Sequence, residues 1–479
     1  MRTQKRAILH SALASFAILG LLFLAVPGAS AAGKAVNTLS ASPGDFTYTV
    51  NPPRVQVSPN TVLPNAVPYC TSSSVKTLIC YSPNFIRTAY NFPSSLNGSG
   101  QTILIVDAFG SPTINNDLAV FDSTFGIPAP PSFTILCPTG CPTFDPKNMP
   151  QAEFQWTVET TLDVEWAHAM APGAKIVLVV AASPHGSVIN TSESAAIAQF
   201  PGSIMSQSFG TPEFLVHNNN AQILQAEKNY QAAQQAGITV LASAGDFGAT
   251  NGSTTANAGF PASDPLVTGV GGTEGNPYLP PGTAFSCTGG PCSSGLVSFT
   301  GTCSPGGRPG VPTGCTPTGY HGEQVWNEPE PGFGVATGGS PSLLFPTVPP
   351  YQSGLGLTAR TTPDISYNAA VNGGVLVYYT ALGSPIWFVV GGTSAGSPQW
   401  AAIIALANQA AGHSLGFINP ALYRLAESAH YTNDFHDITV GNNQLVGTPV
   451  GFNAAAGYDF ATGWGTPNVA NLVSDLPTA

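Results

Sequence analysis

Short apolar segments alternate with longer helical segments between residues 101 and 270. Apolar runs of about four to eight residues between turn signals are typical of buried strands, and longer periodic segments are typical of helices. Strands that are apolar on both faces and are joined by helices form a mostly parallel sheet covered on both sides. The sequence therefore predicts an α/β fold with one large domain. The predicted strands are residues 101–107, 175–182, 203–208, 238–242 and 265–270, and the predicted helices are residues 116–125, 151–170, 193–200 and 222–236.

The N-terminus has the pattern of a secretory signal peptide. Basic residues within the first six positions precede an apolar stretch at residues 12–26, and small residues follow up to position 32. A basic start, an apolar centre and a small-residue end are typical of a signal that is cleaved. A membrane anchor is the alternative, but the apolar stretch is short for a span. We therefore expect residues 1–32 to be removed and the protein to be secreted, with no stable membrane association.

Charged residues make up only 8% of the chain, whereas about 25% is usual. The 24 acidic and 13 basic residues give a formal net charge of -11. This balance argues against nucleic acid as a partner, because proteins that bind it carry basic patches. The same composition suits an acidic medium, where carboxylates lose their charge and few cations remain to repel one another. A surface rich in uncharged polar residues is the alternative interpretation.

Eight cysteines in an exported chain predict disulfide bonds. A zinc site is a weaker interpretation, because the spacing lacks two closely spaced pairs of the finger type. The last four cysteines lie in residues 274–322, which are rich in Gly, Pro and Thr, and we interpret this region as a disulfide-rich loop insert. The simplest pairing joins Cys70 to Cys80, Cys137 to Cys141, Cys287 to Cys292 and Cys303 to Cys315, although the last four allow other pairings.

Residues 33–80 are predicted to be a short N-terminal leader or the remnant of a propeptide. Residues 33–68 are rich in Pro, Asn, Ser and Val and have no helical period, which indicates an extended chain. We expect the folded domain to begin at about Tyr81 and to extend over residues 81–479.

A turn of small residues comes directly before a long apolar helix. Residues 391–398 read Gly-Gly-Thr-Ser-Ala-Gly-Ser-Pro, and the apolar run that they open ends near Gln409. Residues 375–379 and 386–390 are predicted to form a β-hairpin just before this turn. Glycines let the backbone bend sharply and let a substrate approach, and unpaired N–H groups at a helix N-terminus stabilise a developing oxyanion. Ser394 is therefore the predicted nucleophile, and a helix N-cap is the structural alternative.

Two acidic residues share one face of the predicted helix 151–170. Glu159 and Asp163 are four residues apart, so their side chains are neighbours on the helix surface. Like charges this close are unfavourable unless they share a proton, and such a pair can act as a base and its orienting partner. A third acid, Asp246, follows a predicted strand in the turn Ser243-Ala-Gly-Asp246. The alternatives are a solvated helix face for the pair and a turn-capping role for Asp246.

The chain resembles the sedolisins, or serine-carboxyl peptidases, over about residues 81–476. The segment Glu159-Thr-Thr-Leu-Asp163 is similar to the Glu-x-x-Leu-Asp helix of this family. The turn at residues 243–246 is similar to its Ser-x-Gly-Asp motif, and residues 392–394 are similar to its Gly-Thr-Ser motif. The resemblance implies a subtilisin-like fold and a serine peptidase that acts on proteins or peptides.

The resemblance also implies a role for each of these residues. Ser394 Oγ is expected to attack the scissile carbonyl and to form an acyl-enzyme. Glu159 is expected to act as general base and then as acid, and Asp163 is expected to hold Glu159 and share its proton. A protonated Asp246 is expected to donate to the oxyanion together with the backbone N–H of Ser394. Because free carboxyl groups titrate near pH 4, we expect the highest activity within about pH 3–5.

Two loops near the C-terminus carry candidate calcium ligands. Aspartates and backbone carbonyls in loops of small residues suit a hard cation with oxygen ligands. Sedolisins bind one structural Ca²⁺ ion with such segments, and the resemblance implies side-chain ligation by Asp437 and Asp459. The backbone ligands that it implies are the carbonyls of Ile438, Ala455 and Gly457. A pair of Asx-turns is the alternative.

Two rival functions are considered. A histidine-dependent subtilisin would use Asp107, His168 and Ser394, but the His-Gly-Thr-His segment expected of such an enzyme is absent from the sequence. A secreted binding protein on an inactive peptidase scaffold is the second rival, although the candidate serine and all three acids are present. Both endopeptidase and tripeptidyl-peptidase activity agree with the sequence, and a monomer is the default assembly.

Overall fold

An eight-stranded sheet, which we call the main sheet, forms the centre of the structure. Its neighbouring strands run parallel, except that Glu323–Val325 pairs antiparallel with Thr268–Gly275. The structure therefore confirms the predicted α/β fold with a mostly parallel sheet. The order across the sheet is Glu323–Val325, Thr268–Gly275, Thr239–Ser243, Ile204–Gln207, Thr102–Ala108, Lys175–Ala181 and Phe133–Leu136, and Ile365–Asn368 also pairs with Thr268–Gly275.

The computed structural model describes residues 44–59, 69–72, 78–216, 220–276, 287–305, 312–330 and 333–479. All of them belong to one compact unit, which spans Ala41–Ala479. The predicted signal peptide at residues 1–32 lies outside the described residues.

Helices cover both faces of the main sheet, because its strands alternate their side chains between two apolar cores. In the strand Thr102–Ala108, Ile103 and Ile105 face one core, and Leu104 and Val106 face the other. The first core is closed by Ile114–Phe125, Gln151–Met170 and Thr393–Ala411, and the second by Gly186–Gln199 and Ala221–Gln235. The other helices are Pro83–Ala89, Asn419–Ala426, Tyr431–Asp434 and Val469–Asp475, with 3₁₀ turns at Glu213–Leu215, Gly248–Thr250, Pro350–Leu355 and Leu476–Thr478.

One predicted strand begins later than its sequence suggests. Residues 265–270 were expected to be extended, but the strand is Thr268–Gly275. The reason is a turn ahead of it, in which the Asp264 carboxylate accepts a hydrogen bond of 2.8 Å from the backbone N–H of Leu266. Among the described helices, none has both the length and the apolar composition that a membrane span requires.

A second sheet of five strands shows that the predicted leader is wrong in part. The hairpin Gly374–Tyr379 and Ile386–Val390 is confirmed, with Val375 opposite Val390. Arg54–Val57 pairs antiparallel with the free edge of this hairpin, so the folded domain begins well before residue 81. The order of the sheet is Arg54–Val57, Ile386–Val390, Gly374–Tyr379, Leu78–Tyr81 and Tyr69–Cys70.

The described part of the insert at residues 274–322 contains a three-stranded sheet, whereas a loop region was expected. Its strands Cys287–Ser294, Val297–Pro305 and Pro312–Tyr320 pair antiparallel in that order. The insert contacts the second sheet at the strand Leu78–Tyr81, where the backbone N–H of Leu296 donates to the Tyr81 hydroxyl at 3.1 Å. Small strand pairs elsewhere are Thr211–Pro212 with Gly259–Phe260, Asn327–Glu330 with Phe333–Ala336, Ser340–Pro341 with Thr361–Thr362, and Phe435–His436 with Thr466–Pro467.

Two of the predicted disulfide bonds are confirmed. Cys70 is bonded to Cys80 and joins two strands of the second sheet, and Cys137 is bonded to Cys141 just after the strand Phe133–Leu136. The pairing predicted for the four cysteines of the insert involves side chains outside the described part of the structure.

Candidate active site

The helix Gln151–Met170, which we call the carboxyl helix, carries two acids into the protein interior. Glu159 and Asp163 are both fully buried, as their place on one helix face requires when that face packs inward. The carboxyl helix packs against Thr393–Ala411, which we call the serine helix. Within the described residues, no hydrogen bond reaches any carboxyl oxygen of this acidic pair. A pair of buried acids without donors is stable only if it retains protons.

The environment of Glu159 favours a shared proton but also supports its ionised form. Burial raises the pKa of Glu159 well above its usual value. The adjacent Ser394 hydroxyl lowers that pKa, the carboxyls of Asp107 and Asp246 raise it, and the Arg54 guanidinium lowers it. Arg54 is held against the ring of Phe154, with 4.6 Å between the guanidinium carbon and the ring centroid.

A third buried acid joins this pair, and sequence reasoning had placed it only in the rival subtilisin site. Asp107 ends a strand of the main sheet, is fully buried, and has no hydrogen bond to its carboxyl oxygens among the described residues. Burial raises the pKa of Asp107 well above its usual value, whereas Thr160 acts in the opposite direction and lowers it. Burial also raises the pKa of Asp163, and the charges of Asp107 and Glu159 raise it further. The sequence did contain a signal for the position of Asp107. Residues 103, 105 and 107 share one face of the strand, and Ile103 and Ile105 face the core that the carboxyl helix covers.

The turn before the serine helix requires glycine and presents Ser394 to a cleft. Gly392 has a φ of 98°, and a Cβ atom there would lie 2.8 Å from Asp246 Oδ2. Ser394 is only 6% exposed, and its hydroxyl donates to the Ser208 carbonyl at 3.3 Å. The cleft around it is lined by Ser208 and Asp246, and no histidine is among the described residues that line it.

Asp246 lies beside the helix N-terminus, as the motif predicts. Its Oδ1 accepts hydrogen bonds from the backbone N–H and the hydroxyl of Thr393, at 2.8 and 2.9 Å. Burial raises the pKa of Asp246 to about 6, although both bonds from Thr393 act to lower it. Below that pH the carboxyl is protonated, so its free oxygen can donate a hydrogen bond towards the cleft.

His168 has a structural position that excludes it from this cluster. It is fully buried, and its Nε2 lies 2.9 Å from the Pro128 carbonyl and 3.4 Å from Asp122 Oδ2. It is on the carboxyl helix nine residues after Glu159, a separation of about 13 Å along the helix axis. The histidine-dependent arrangement of Asp107, His168 and Ser394 therefore does not form.

Hydrogen bonds connect several of the candidate calcium ligands. The Asp437 carboxylate accepts hydrogen bonds from the backbone N–H of Gly457, at 3.2 and 3.1 Å, and Asp459 accepts one from the backbone N–H of Ala455 at 3.0 Å. The carbonyls of Ile438, Ala455 and Gly457 accept no hydrogen bond from a described residue. Carboxylates and free carbonyls are oxygen donors of the kind that a hard cation prefers. The Asp459 carboxylate also accepts hydrogen bonds of 2.8 Å from the backbone N–H groups of Ala461 and Thr462, as the Asx-turn alternative predicts.

Comparison with known proteins agrees with this geometry. The family model described as "Subtilase family" matches residues 157–427, which include the serine helix and the part of the carboxyl helix that carries Glu159 and Asp163. The chain belongs to the subtilase family. Kumamolisin of Bacillus sp. (strain MN-32) is 32% identical over 414 residues, which cover 83% of this chain and 64% of the relative. Tripeptidyl-peptidase 1 of Canis lupus familiaris is 29% identical over 339 residues, which cover 67% of this chain and 52% of the relative.

A solved structure is also similar. It is Pseudomonas sedolisin, a serine-carboxyl proteinase in complex with two molecules of pseudo-iodotyrostatin, with 25% identity and a TM-score of 0.65. The likeness covers 83% of this chain and 98% of that chain. These findings confirm the resemblance to the sedolisins that the motifs predict. The chain spans between about half and two thirds of the length of the two curated relatives, at 52% and 64%.

Proposed function

We propose that this protein is a serine peptidase in which the carboxyl group of Glu159 takes the part of the usual histidine. The observation that carries the proposal is the buried carboxyl of Glu159 beside the hydroxyl of Ser394, with two further buried acids behind it. A base must be within reach of the proton that it removes. The Ser394 hydroxyl acts on the pKa of Glu159, whereas the ring of His168 lies against the Pro128 carbonyl. The sedolisin relatives support the same reaction class.

The reaction proceeds by acyl transfer. Ser394 Oγ attacks the carbonyl carbon of the peptide as its proton moves to Glu159. The C–N bond then breaks, and Glu159 returns the proton to the departing amine. Water attacks the acyl-enzyme with Glu159 again as base, which releases the acid product and restores the Ser394 hydroxyl.

The remaining acids support the charges that develop during these steps. The protonated carboxyl of Asp246 and the backbone N–H of Ser394 donate to the oxyanion. Asp163 and Asp107 retain protons because burial raises the pKa of each. The Arg54 cation lowers the pKa of Glu159. Glu159, which must accept a proton, is therefore the acid of the cluster whose ionised form is stabilised most.

The proposed pH dependence follows from Asp246, which can donate a hydrogen bond to the oxyanion only while its carboxyl is protonated. With a pKa of about 6, this carboxyl loses its proton, and its ability to donate, as the pH rises through 6. We therefore propose an acid-acting enzyme, with the optimum on the acid side of pH 6. The acidic composition and the signal-like N-terminus support a secreted peptidase.

We also propose one structural Ca²⁺ ion, held by the carboxylates of Asp437 and Asp459 and the carbonyls of Ile438, Ala455 and Gly457. When bound, the ion would neutralise the two carboxylates and join the loops that carry them.

Cleavage of a denatured protein from pH 2 to 8 tests the proposal. We expect acid-peaked cleavage that is lost in Ser394→Ala and in Glu159→Gln, while His168→Asn retains it if the protein folds. Sequencing the products separates internal cleavage from removal of tripeptides, the second being suggested by the tripeptidyl-peptidase relative. Cleavage that peaks above neutral pH would contradict the roles of Glu159 and Asp246, and no cleavage by a folded, open cleft would favour the binding-protein alternative.

A further inference from the structure

Three side chains with metal-binding groups meet between two helices near the C-terminus. His430 and Asp434 lie at the two ends of the short helix Tyr431–Asp434, and Asp475 is the last residue of Val469–Asp475, which we call the C-terminal helix. One imidazole nitrogen and one oxygen from each carboxyl all lie within 4.8 Å of one another. These three residues, which we call the C-terminal cluster, are therefore close enough to contact one small ion together.

Backbone contacts of both helices bring the cluster together. The backbone N–H of Asp434 donates to the His430 carbonyl at 3.0 Å, so the two residues are about one helical turn apart and share a face. The backbone N–H of Asn468 donates to the Asp434 carbonyl at 2.8 Å, which fixes the start of the C-terminal helix beside the short helix. About two helical turns later, Asp475 Oδ2 lies 2.7 Å from His430 Nδ1.

The carboxyl of Asp434 lacks the partners that a buried acid requires. Asp434 is 0% exposed, and neither of its carboxyl oxygens has a hydrogen-bond partner among the described residues. Buried polar groups nearly always have a partner, because an unpaired one loses its hydration without compensation. Burial raises the pKa of Asp434 to about 6, the charge of Asp475 raises it as well, and that of His430 lowers it. A cation between the two carboxyls would remove both the unpaired oxygens and the repulsion.

We propose that His430, Asp434 and Asp475 bind a Zn²⁺ ion that fastens the C-terminal helix to the helix Tyr431–Asp434. Zinc accepts imidazole nitrogen together with carboxylate oxygen, whereas Ca²⁺ and Mg²⁺ prefer oxygen ligands alone. Ligand atoms of a tetrahedral zinc site are about 3.3 Å apart, given bonds of about 2.0–2.1 Å. This separation lies between the 2.7 Å of the His430–Asp475 pair and the 4.8 Å limit of the cluster, so small side-chain rotations complete the site. Water takes the fourth position.

The zinc ligands are not those of the proposed calcium site, although Asp434 is only three residues before Asp437. The Asp437 carboxylate accepts hydrogen bonds from the backbone N–H of Gly457 and, at 2.8 Å, from the Tyr431 hydroxyl. It is thus engaged with residues outside the C-terminal cluster. One short segment therefore carries ligands for two cations of different chemistry.

The position of the C-terminal helix indicates what the ion would do. Val469, Leu472 and Val473 are buried in the core that the serine helix closes, and the two helices pack against each other. An ion at Asp475 holds the far end of the C-terminal helix, and Asn468 already holds its start through the backbone. The zinc site therefore opposes detachment of this helix from the core.

Equilibrium dialysis of full-length Ser394→Ala against Zn²⁺ alone, at pH 7 with Ca²⁺ in excess, tests the site. We expect one Zn²⁺ per chain. His430→Ala and Asp475→Asn should each weaken binding by at least about tenfold, since loss of even an outer-shell partner costs about 10–100-fold. The His430 side chain is 54% exposed, so His430→Ala should fold, which circular dichroism checks. The control is His413→Ala, which removes an exposed histidine outside the cluster and should leave the affinity unchanged.

Two results of the dialysis would overturn the inference. One is no zinc bound by the parent protein at about 100 μM Zn²⁺, which is too weak for a structural zinc site. The other is equal zinc affinity in the parent protein, His430→Ala and Asp475→Asn, which would place any bound ion elsewhere. Neither result bears on the proposed function, because Ser394→Ala is used throughout and no cleavage is measured.

Hydrogen exchange tests whether the ion fastens the C-terminal helix. At free zinc of about a hundred times its Kd, amides of residues 472–475 that exchange only when the helix detaches should exchange about a hundredfold more slowly. The same amides in His430→Ala should not respond to zinc. Zinc binding by the parent protein with unchanged exchange at these residues would overturn the fastening role.

Discussion

The substitution Asp246→Asn tests the idea that a protonated carboxyl donates to the oxyanion. An amide has nearly the shape of a carboxylic acid, so its oxygen can still accept from the backbone N–H and the hydroxyl of Thr393. Its nitrogen then occupies the second position and donates at every pH. The change therefore preserves the geometry and removes only the titration.

The expected size of the change in activity follows from the pKa of Asp246 and from its role as an oxyanion donor. A carboxyl with a pKa of about 6 is about nine-tenths protonated at pH 5 and about one-tenth protonated at pH 7. The share of kcat/KM that depends on Asp246 should thus fall about tenfold between pH 5 and 7 in the wild-type protein. In Asp246→Asn this fall should disappear. Asp246→Ala should reduce kcat at pH 4 by about 10²–10³, the usual effect of losing one oxyanion donor.

The assay is cleavage of a quenched fluorescent peptide over pH 3–8, with kcat and KM determined separately. If Asp246→Asn retains the tenfold fall, another group is responsible for it and the reasoning about Asp246 is refuted. If Asp246→Ala is as active as the wild type, the carboxyl is no oxyanion donor at all.

Three further predictions concern the cation, the metal and the stability. Arg54→Gln should raise the pKa of Glu159, because it removes a cation that lowers it; the acid limb of kcat/KM then moves to higher pH, and an unmoved limb would contradict the assignment. Calcium at about a hundredfold excess over its Kd should stabilise the wild type by about 2.7 kcal/mol in thermal unfolding and should have little effect on Asp459→Asn; equal stabilisation of both would exclude the proposed ligands. Burial raises the pKa of both Glu193 and Glu274 to about 8, above the unfolded value of 4.5. The contribution of these two groups to the free energy of unfolding is therefore fully present below pH 4.5. It is lost as the pH rises towards 8, by at most about 1.4 kcal/mol per pH unit for each group. Urea unfolding of Ser394→Ala from pH 4 to 8 measures this loss, and a constant midpoint would show that the groups do not hold their protons.

The main sheet was predictable because burial on both faces leaves a continuous apolar signal in the sequence. The strands Thr102–Ala108 and Lys175–Ala181 agree closely with the segments predicted from that signal. The insert sheet was not predictable, because its strands are rich in Gly, Pro, Thr and Cys and show no apolar alternation. Glu159, Asp163, Asp246 and Ser394 were predicted from motifs; Asp246 and Ser394 line one cleft, and Glu159 and Asp163 are buried on the carboxyl helix, with the Ser394 hydroxyl acting on the pKa of Glu159.

The position of residues 45–53 and the role of Asp107 were missed for different physical reasons. Residues 45–53 are held by backbone hydrogen bonds to Gly210 and Gly391, which are distant in sequence and leave no local pattern. Asp107 carries only the signal of strand alternation, and an aspartate at a strand end is common without any role in catalysis. Both features depend on tertiary contacts that the composition of a single segment does not encode.

The candidate base depends on a residue from the N-terminal part of the domain. Arg54, which lowers the pKa of Glu159, begins the edge strand that pairs with Ile386–Val390. Its guanidinium is held between the rings of Phe154 and Phe388, at 4.6 and 5.6 Å from their centroids. Its Nη1 also donates a hydrogen bond of 2.8 Å to the Pro52 carbonyl. The charge that favours an ionised Glu159 is therefore held jointly by the carboxyl helix, the second sheet and the backbone of residue 52, so a displacement of that backbone would remove one of the contacts that keep the charge in place.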